Sequence, residues 1–184
     1  MVTSRSRRRA AGATLMEVLV TIVVISFGLL GLAGLQMRIQ TADIEAYQRS
    51  QALLLVQDMA SRLAANRLSA ASYVTGATFG EGMTCPTDNA TTVQRDLRDW
   101  CLALQGAAEL SGGSRVGAMI GGRGCVELVD GDYMITVAWQ GLIPISAPPT
   151  SVGCGAGSYN SGSTCVNDLC RRAVTTLVRL ATLL

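Results

Sequence analysis

Hydrophobic and polar positions follow two patterns in the first third of the chain. Residues without a charge run without interruption from Val18 to Met37, about the length of a helix that crosses a membrane. Beyond Met37, apolar residues recur at helical steps of three, four or seven. They are Ile39, Ala42, Ala46, Leu53, Val56, Ala60 and Leu63. The pattern predicts one helix from about Thr14 to Asn66, apolar in its first half and amphipathic in its second.

The sequence after this helix is rich in serine, threonine, glycine and alanine, and it predicts a long loop that extends through Cys85-Pro86. A second helix is predicted from Thr91 to Leu110, because apolar residues such as Val93 and Leu97 recur there at helical spacing. Thr91 or Thr92 can cap its N-terminus, and Gly112-Gly113 is expected to end it.

Four later runs are rich in β-branched or aromatic residues, which is typical of strands. They are Val116 to Ile120, Cys125 to Val129, Tyr133 to Gln140 and Arg172 to Leu183. Asp130-Gly131-Asp132 joins the second run to the third as a hairpin turn, because an Asp-Gly pair supplies positive φ angles. The segment from Leu142 to Asn167 is predicted to be a loop, because it is rich in proline, glycine and serine.

A long helix followed by an antiparallel meander is an α+β arrangement. One face of such a sheet has to be buried, and the amphipathic half of the first helix offers apolar side chains to cover it. We therefore expect the sheet to pack on that half of the helix, along residues such as Leu53, Val56 and Leu63.

The net charge of +2 is an average over unlike parts of the chain. Arg5, Arg7, Arg8 and Arg9 precede the apolar segment, and the residues after Met37 carry 11 arginines against 12 acids. Because positive residues favour the cytoplasmic side of a membrane, the N-terminus is predicted to lie inside and the rest outside. The balance of −1 after Met37 does not favour a nucleic-acid partner, although salt-dependent DNA binding by the C-terminal part stays an alternative.

The chain contains no histidine, which removes the commonest general base and the commonest metal ligand. It also contains no Gly-x-Ser-x-Gly motif and no phosphate-binding loop. Asp96 and Asp99 lie three residues apart, but Arg95 and Arg98 beside them indicate a solvated charged face. The sequence therefore predicts no enzyme, no catalytic residues, no cofactor and no metal.

All six cysteines lie beyond the apolar segment: Cys85, Cys101, Cys125, Cys154, Cys165 and Cys170. An even number of cysteines in an exported domain predicts disulfide bonds. A zinc site is not favoured, because it needs Cys-x-x-Cys spacing or histidine partners and the chain has neither. We predict Cys85 with Cys101, which ties the loop to the second helix, and Cys154 with Cys165 or Cys170.

Glu17 stands at the start of the apolar run, where a carboxylate is costly unless it is paired. It follows Gly12 and then Ala13-Thr14-Leu15-Met16, and this arrangement resembles the class III prepilin signal of type IV pilins. The resemblance implies that the prepilin peptidase cleaves after Gly12 and methylates the new N-terminus at Ala13. It also implies that Glu17 pairs with the terminal amine of a neighbouring subunit. Ala13 departs from the pattern, since phenylalanine is usual there.

The stretch from Glu17 to Gln36 and the run from Tyr133 to Gly141 are more similar to minor pilins of the PilV group than to major pilins. That resemblance implies a pilin fold, in which a long N-terminal helix packs against an antiparallel head with disulfide-bonded loops. Its segments would be a leader (1–12), a transmembrane and filament-core helix (13–37), an amphipathic continuation (38–66) and an α+β head (67–184).

The function implied is that of a minor pilin that primes or caps a type IV pilus and supports twitching motility and adhesion. Its partners would be the prepilin peptidase, other minor pilins, the major pilin, the inner-membrane assembly machinery and, before assembly, membrane lipid. Its location would be the inner membrane, with a cytoplasmic N-terminus and a periplasmic head, and later the extracellular pilus. A type II secretion pseudopilin and a signal-anchored periplasmic binding protein or enzyme are the alternatives.

Replacing Gly12 with alanine or a bulkier residue should block removal of the leader, because the resemblance places the cut directly after this glycine. The variant should then migrate as a heavier band than the wild-type protein in immunoblots of membranes. Cleavage of the Gly12→Ala chain at the wild-type position would contradict the prediction.

Overall fold

The dominant element is the helix α1, Leu15–Ala65, which extends over 51 residues and confirms the helix expected from the apolar pattern. The structure is a computed structural model that describes residues 14–106, 110–111, 114–115, 119–160 and 162–181. The chain forms two compact units, Met1–Ala42 and Asp43–Leu184. The described part of the first unit is helical from Leu15 onward. The second contains the remaining elements.

These elements follow α1 in a simple order. They are a 3-10 helix (Arg67–Tyr73), β1 (Phe79–Gly80), α2 (Thr92–Leu104), β2 (Leu110–Ser111), β3 (Ser114–Arg115), β4 (Arg123–Val129), β5 (Asp132–Gln140) and β6 (Arg171–Val178). The described strands form a four-stranded antiparallel sheet in the order β1-β4-β5-β6 and a separate β2-β3 pair. The α+β class predicted from the sequence is confirmed.

The β4-β5 hairpin depends on the turn that the sequence predicts. Val129 pairs with Asp132, so Asp130 and Gly131 form a two-residue loop. Both have positive φ, 51° at Asp130 and 87° at Gly131, and two-residue hairpin loops of this kind match the twist of the flanking strands. The turn thereby fixes the register in which the strands pair.

The core lies between one face of the sheet and one stripe of α1. The stripe consists of Ala52, Val56, Met59 and Leu63, all buried, at helical spacing. Val126, Ile135, Val137 and Trp139 face it from the sheet. Val56 and Leu63 are therefore placed as expected, whereas Leu53 is 44% exposed. The expectation for Leu53 is wrong because the sheet packs on the neighbouring stripe.

The helix α2 closes one side of this core. Thr91 caps it, since its hydroxyl accepts from the backbone N–H of Gln94 while the Gln94 side chain accepts from the N–H of Thr91. The side chains of Trp100 and Leu104 are completely buried in the core. The indole Nε1 of Trp100 donates to the carbonyl of Leu55 on α1 at 3.0 Å.

Three predicted boundaries need correction. The helix predicted from Thr91 to Leu110 ends at Leu104, because Gly106 adopts a φ of 69°, typical of the residue after a helix. In the strand predicted at 116–120, Met119 and Ile120 are not in a strand and the rest lies outside the described residues. The strand predicted from Arg172 to Leu183 ends at Val178.

Three disulfides join all six cysteines. The Cys85–Cys101 bond is present as predicted. The predicted pairing of Cys154 with Cys165 or Cys170 is wrong, because Cys154 bonds to Cys125 and Cys165 bonds to Cys170. Cys125 lies beside core-facing Val126 in β4, so its side chain points to the opposite face of the sheet. The loop that carries Cys154 lies over that face, which explains why Thr136 and Ala138 are completely buried there.

Gly124, in β4, is a position in the sheet where a side chain is poorly tolerated. A Cβ atom there would lie 2.4 Å from a ring carbon of Trp100 and 2.7 Å from Leu104. We expect Gly124→Ala to lower the free energy of unfolding by about 1–3 kcal/mol, the usual effect of overpacking. Thermal unfolding of the full chain in detergent, followed by tryptophan fluorescence, measures the change.

The matched control is Gly153→Ala. No atom lies within 4 Å of a Cβ built at Gly153, so its melting temperature should stay near the wild-type value. Equal stability of both variants would contradict the packing of Trp100 on β4.

Candidate functional site

The N-terminus of α1 brings a capping residue and a carboxylate together. Thr14 immediately precedes the helix, and its hydroxyl and carbonyl oxygens both accept from the backbone N–H of Glu17, at 3.3 Å and 3.0 Å. Glu17 is therefore in the first turn, where a negative side chain interacts favourably with the helix dipole. Its side chain is exposed and can meet a cation from another molecule.

The apolar segment after Glu17 has no buried face in the structure. Its large side chains are exposed on all sides of the helix, from Val18 at 47% to Phe27 at 71% and Leu35 at 55%. By length and composition, α1 is the one described helix that could cross a membrane. A segment that is apolar all round requires lipid or other helices around it.

Two hydroxyl side chains within this segment are satisfied locally. Thr21 donates its hydroxyl proton to the carbonyl of Val18 at 2.8 Å, and Ser26 donates to that of Ile22 at 2.7 Å. Since the backbone hydrogen bonds are also internal to the helix, the backbone and these two hydroxyls need no water. Gly12 and Ala13, the predicted cleavage and methylation residues, lie outside the described residues.

In the second unit, a polar cluster joins α1, α2 and the 3-10 helix. Arg62 donates to Asp58 on α1 and to Asp96 on α2, both at 2.9 Å. The Tyr73 hydroxyl donates to the second carboxylate oxygen of Asp96. Burial, and next the hydrogen bond to Asp96, raise the pKa of Tyr73, so it keeps the proton that it donates. Asp96 is therefore a structural partner, and its assignment to a solvated face is wrong.

Arg171 anchors the loop that follows β5. Its side chain is almost completely buried, and it pairs with Asp168 at 3.1 Å. It also donates to the carbonyl oxygens of Val152 at 2.7 Å and of Cys154 at 3.1 Å. Asp168 in turn accepts from the backbone N–H of Gly157. A buried guanidinium thus ties the middle of the loop, next to the Cys125–Cys154 bond, to the end of the loop at Asp168.

Arg172 joins the same loop to α1. It lies 3.6 Å from the carboxylate of Glu45 and donates to the carbonyl oxygens of Leu169 and Ile143. Glu45 also accepts from the backbone N–H of Leu142 at 3.0 Å. The Arg171-Arg172 pair is therefore engaged within the head, which leaves little of its charge for a phosphate.

Several side chains that matter in the head gave no signal in the sequence. The core role of Asp96 and the burial of Arg171 both depend on partners more than fifteen residues away. The N-terminal site, in contrast, is defined by adjacent residues. Within the part of the chain that the structure describes, no group of histidine, cysteine or acidic side chains could hold a metal ion.

Comparison with known proteins identifies no relative of this chain. No family model and no curated protein matches the sequence, and no solved structure matches the fold.

Proposed function

We propose that this chain is a minor pilin that helps to prime or cap a type IV pilus. The observation that carries the proposal is Glu17, a carboxylate in the first turn of a helix whose next 20 residues are uncharged, with their large apolar side chains exposed. A basic segment that ends in Gly12 precedes it. This combination suits a subunit that is held in a membrane first and packed against other helices later.

The role proposed for Glu17 follows from electrostatics. A carboxylate surrounded by apolar helices is unfavourable unless an opposite charge offsets its desolvation. The amine created by cleavage after Gly12 is such a charge, and a neighbouring subunit that is shifted along the filament axis would bring its amine to the depth of Glu17. One ion pair would then both fix the register of the incoming helix and neutralise two buried charges.

The pilin fold is part of the same proposal. The two parts of α1 support it. The last turns of α1 pack on an antiparallel sheet, whereas the earlier turns leave their apolar side chains exposed. The disulfide-bonded loop over the sheet is a further feature expected of such a head. The prepilin peptidase, the major pilin and other minor pilins are the proposed partners.

The first test combines processing with piliation. The mature protein should begin at a methylated Ala13, as measured by N-terminal sequencing and mass spectrometry. A deletion strain should lose surface pili and twitching motility while it secretes its exoproteins normally. The opposite phenotype would indicate a type II secretion pseudopilin, and a mature chain that retains residues 1–12 would contradict both assignments.

The second test removes the carboxylate. Glu17→Ala and Glu17→Gln should be cleaved normally but enter sheared pili poorly, because an unpaired charge left in an apolar interior costs about 3–5 kcal/mol. Glu17→Asp is the matched control, since it keeps the charge and should retain more incorporation. Quantitative immunoblots of the pili against the cell membranes measure the ratio. Normal incorporation of Glu17→Gln would exclude the ion pair.

A further inference from the structure

The two edges of the four-stranded sheet differ. β1, at one edge, has two residues, and the side chain of Gln105, which follows α2, covers it by donating to the carbonyl of Gly80 at 2.8 Å. β6, at the other edge, has eight residues. An uncovered edge strand presents unpaired N–H and C=O groups that another strand can join.

The register identifies which groups of β6 point outward. Gly141 donates to the carbonyl of Cys170 at 2.8 Å, so these two residues form a hydrogen-bonded pair next to the start of β6. Hydrogen-bonded pairs alternate along an antiparallel ladder. The backbone groups of Ala173, Thr175 and Leu177 therefore face away from β5. No described residue forms a strand with them.

The middle of β6 lacks the features that usually protect an edge. Proteins block such edges with proline, charged side chains or bulges. The stretch Ala173–Val178 has no proline, no glycine and no charge, and the side chain of Leu177 is 63% exposed. The edge is therefore open to pairing along its centre.

A cavity lies beside the same edge, between β6 and α1. Its volume is about 490 Å³, and Ala46 and Arg49 of α1 line it together with Trp139, Ile145 and Val174. A strand added to β6 would place every second side chain on the α1 side of the sheet. An apolar side chain in that position would meet Ile145, Trp139 and Val174.

The charges around the cavity indicate what it would bind. Glu45 is already used by Arg172 and by the N–H of Leu142. The exposed guanidinium of Arg49 has no ion pair among the described residues. The indole Nε1 of Trp139 has no hydrogen-bond partner there either. A carboxylate on the incoming strand would complement the positive charge of Arg49.

A second copy of the chain fits this edge poorly. From Arg171 to Ala181 the sequence contains three arginines and no acidic residue. The arginines are paired with Asp168, Glu45 and Asp132 within the chain, and two antiparallel copies of β6 would offer no carboxylate to Arg49 of either copy. Charge complementarity therefore favours a different protein.

We propose that the outer edge of β6 accepts an extended strand of a different protein subunit. This strand adds to the sheet through the backbone of Ala173, Thr175 and Leu177, inserts an apolar side chain into the cavity, and presents a carboxylate to Arg49. The proposal does not depend on cleavage at Gly12 or on the pilus assignment, because the head carries all of these groups.

The test selects peptides against the full chain in detergent micelles. The probe is a displayed library of short peptides that alternate valine and threonine, with all amino acids allowed at one central position. The selected peptides should carry aspartate or glutamate there, and in hydrogen exchange they should protect the backbone amides of Thr175 and Leu177. Selection without acidic enrichment, or without protection of these amides, would overturn the proposal.

Two variants and a matched control complete the experiment. Thr175→Pro removes an outward N–H without breaking a bond to β5, and it should weaken the selected peptides about tenfold or more. Thr175→Val keeps the N–H and should bind like the wild type. Arg49→Glu should reverse the preference towards lysine peptides, whereas Arg95→Glu, on α2, should not.

Each alternative outcome is decisive. Strand addition is rejected if the wild type and Thr175→Pro bind the peptides equally. It is also rejected if no peptide in the library is enriched on the wild type relative to Thr175→Pro. A Thr175→Pro chain that fails to fold leaves the Arg49→Glu reversal as the deciding measurement. A wild-type dimer whose Thr175 and Leu177 amides are protected before peptide is added would assign the edge to a second copy instead.

Discussion

The hydrogen bonding of α1 is the constraint from which the other features follow. A helix satisfies its own backbone, so its apolar part can leave lipid for a bundle of helices without exposing a polar group. That part cannot remain in water, because each large apolar side chain left exposed costs about 1.5–3 kcal/mol. The exposed side chains from Val18 to Met37 thus require an environment that excludes water. Under the proposed function that environment is lipid first and the filament core later, and Glu17 is the group for which the two differ most.

The later part of α1 excludes water from its apolar side chains in a different way, by packing against the sheet. From Gln48 onward one stripe of α1 is buried, and a sheet with a single covered face is stabilised by that stripe and by α2. The other face would be open to water if the loop after β5 did not lie on it. Cys125–Cys154 and the buried Arg171 hold the loop there from opposite sides. The Cys125–Cys154 disulfide therefore holds a cover over the face of the sheet on which α1 and α2 do not pack.

The sequence predictions are accurate where the interacting residues are close together in the chain and wrong where they are far apart. The helix α1, the β4-β5 hairpin and its Asp130-Gly131 turn depend on neighbours in the chain, and their positions are correct within a few residues. Gly106 also gave a local signal for the end of α2, which the later Gly112-Gly113 obscured. The prediction that Leu53 is buried was wrong because it depends on the packing angle of the sheet on α1. The predicted pairing of Cys154 was wrong because it depends on how the loop crosses the sheet. The Arg49 and Trp139 cavity joins residues far apart in sequence and left no pattern to find.

The charge of β6 bears on how such a subunit would be used. A subunit that repeats along a filament meets its own copies, so its contact surfaces have to be complementary to one another. The stretch from Arg171 to Ala181 has no acid to offer to Arg49 of a second copy, which suits a partner of different sequence better than an identical one. The strand addition that we propose would suit a position where the neighbours of the chain differ from it. In the proposed pilus that condition is met at the tip or base rather than along the shaft, where a minor subunit would lie.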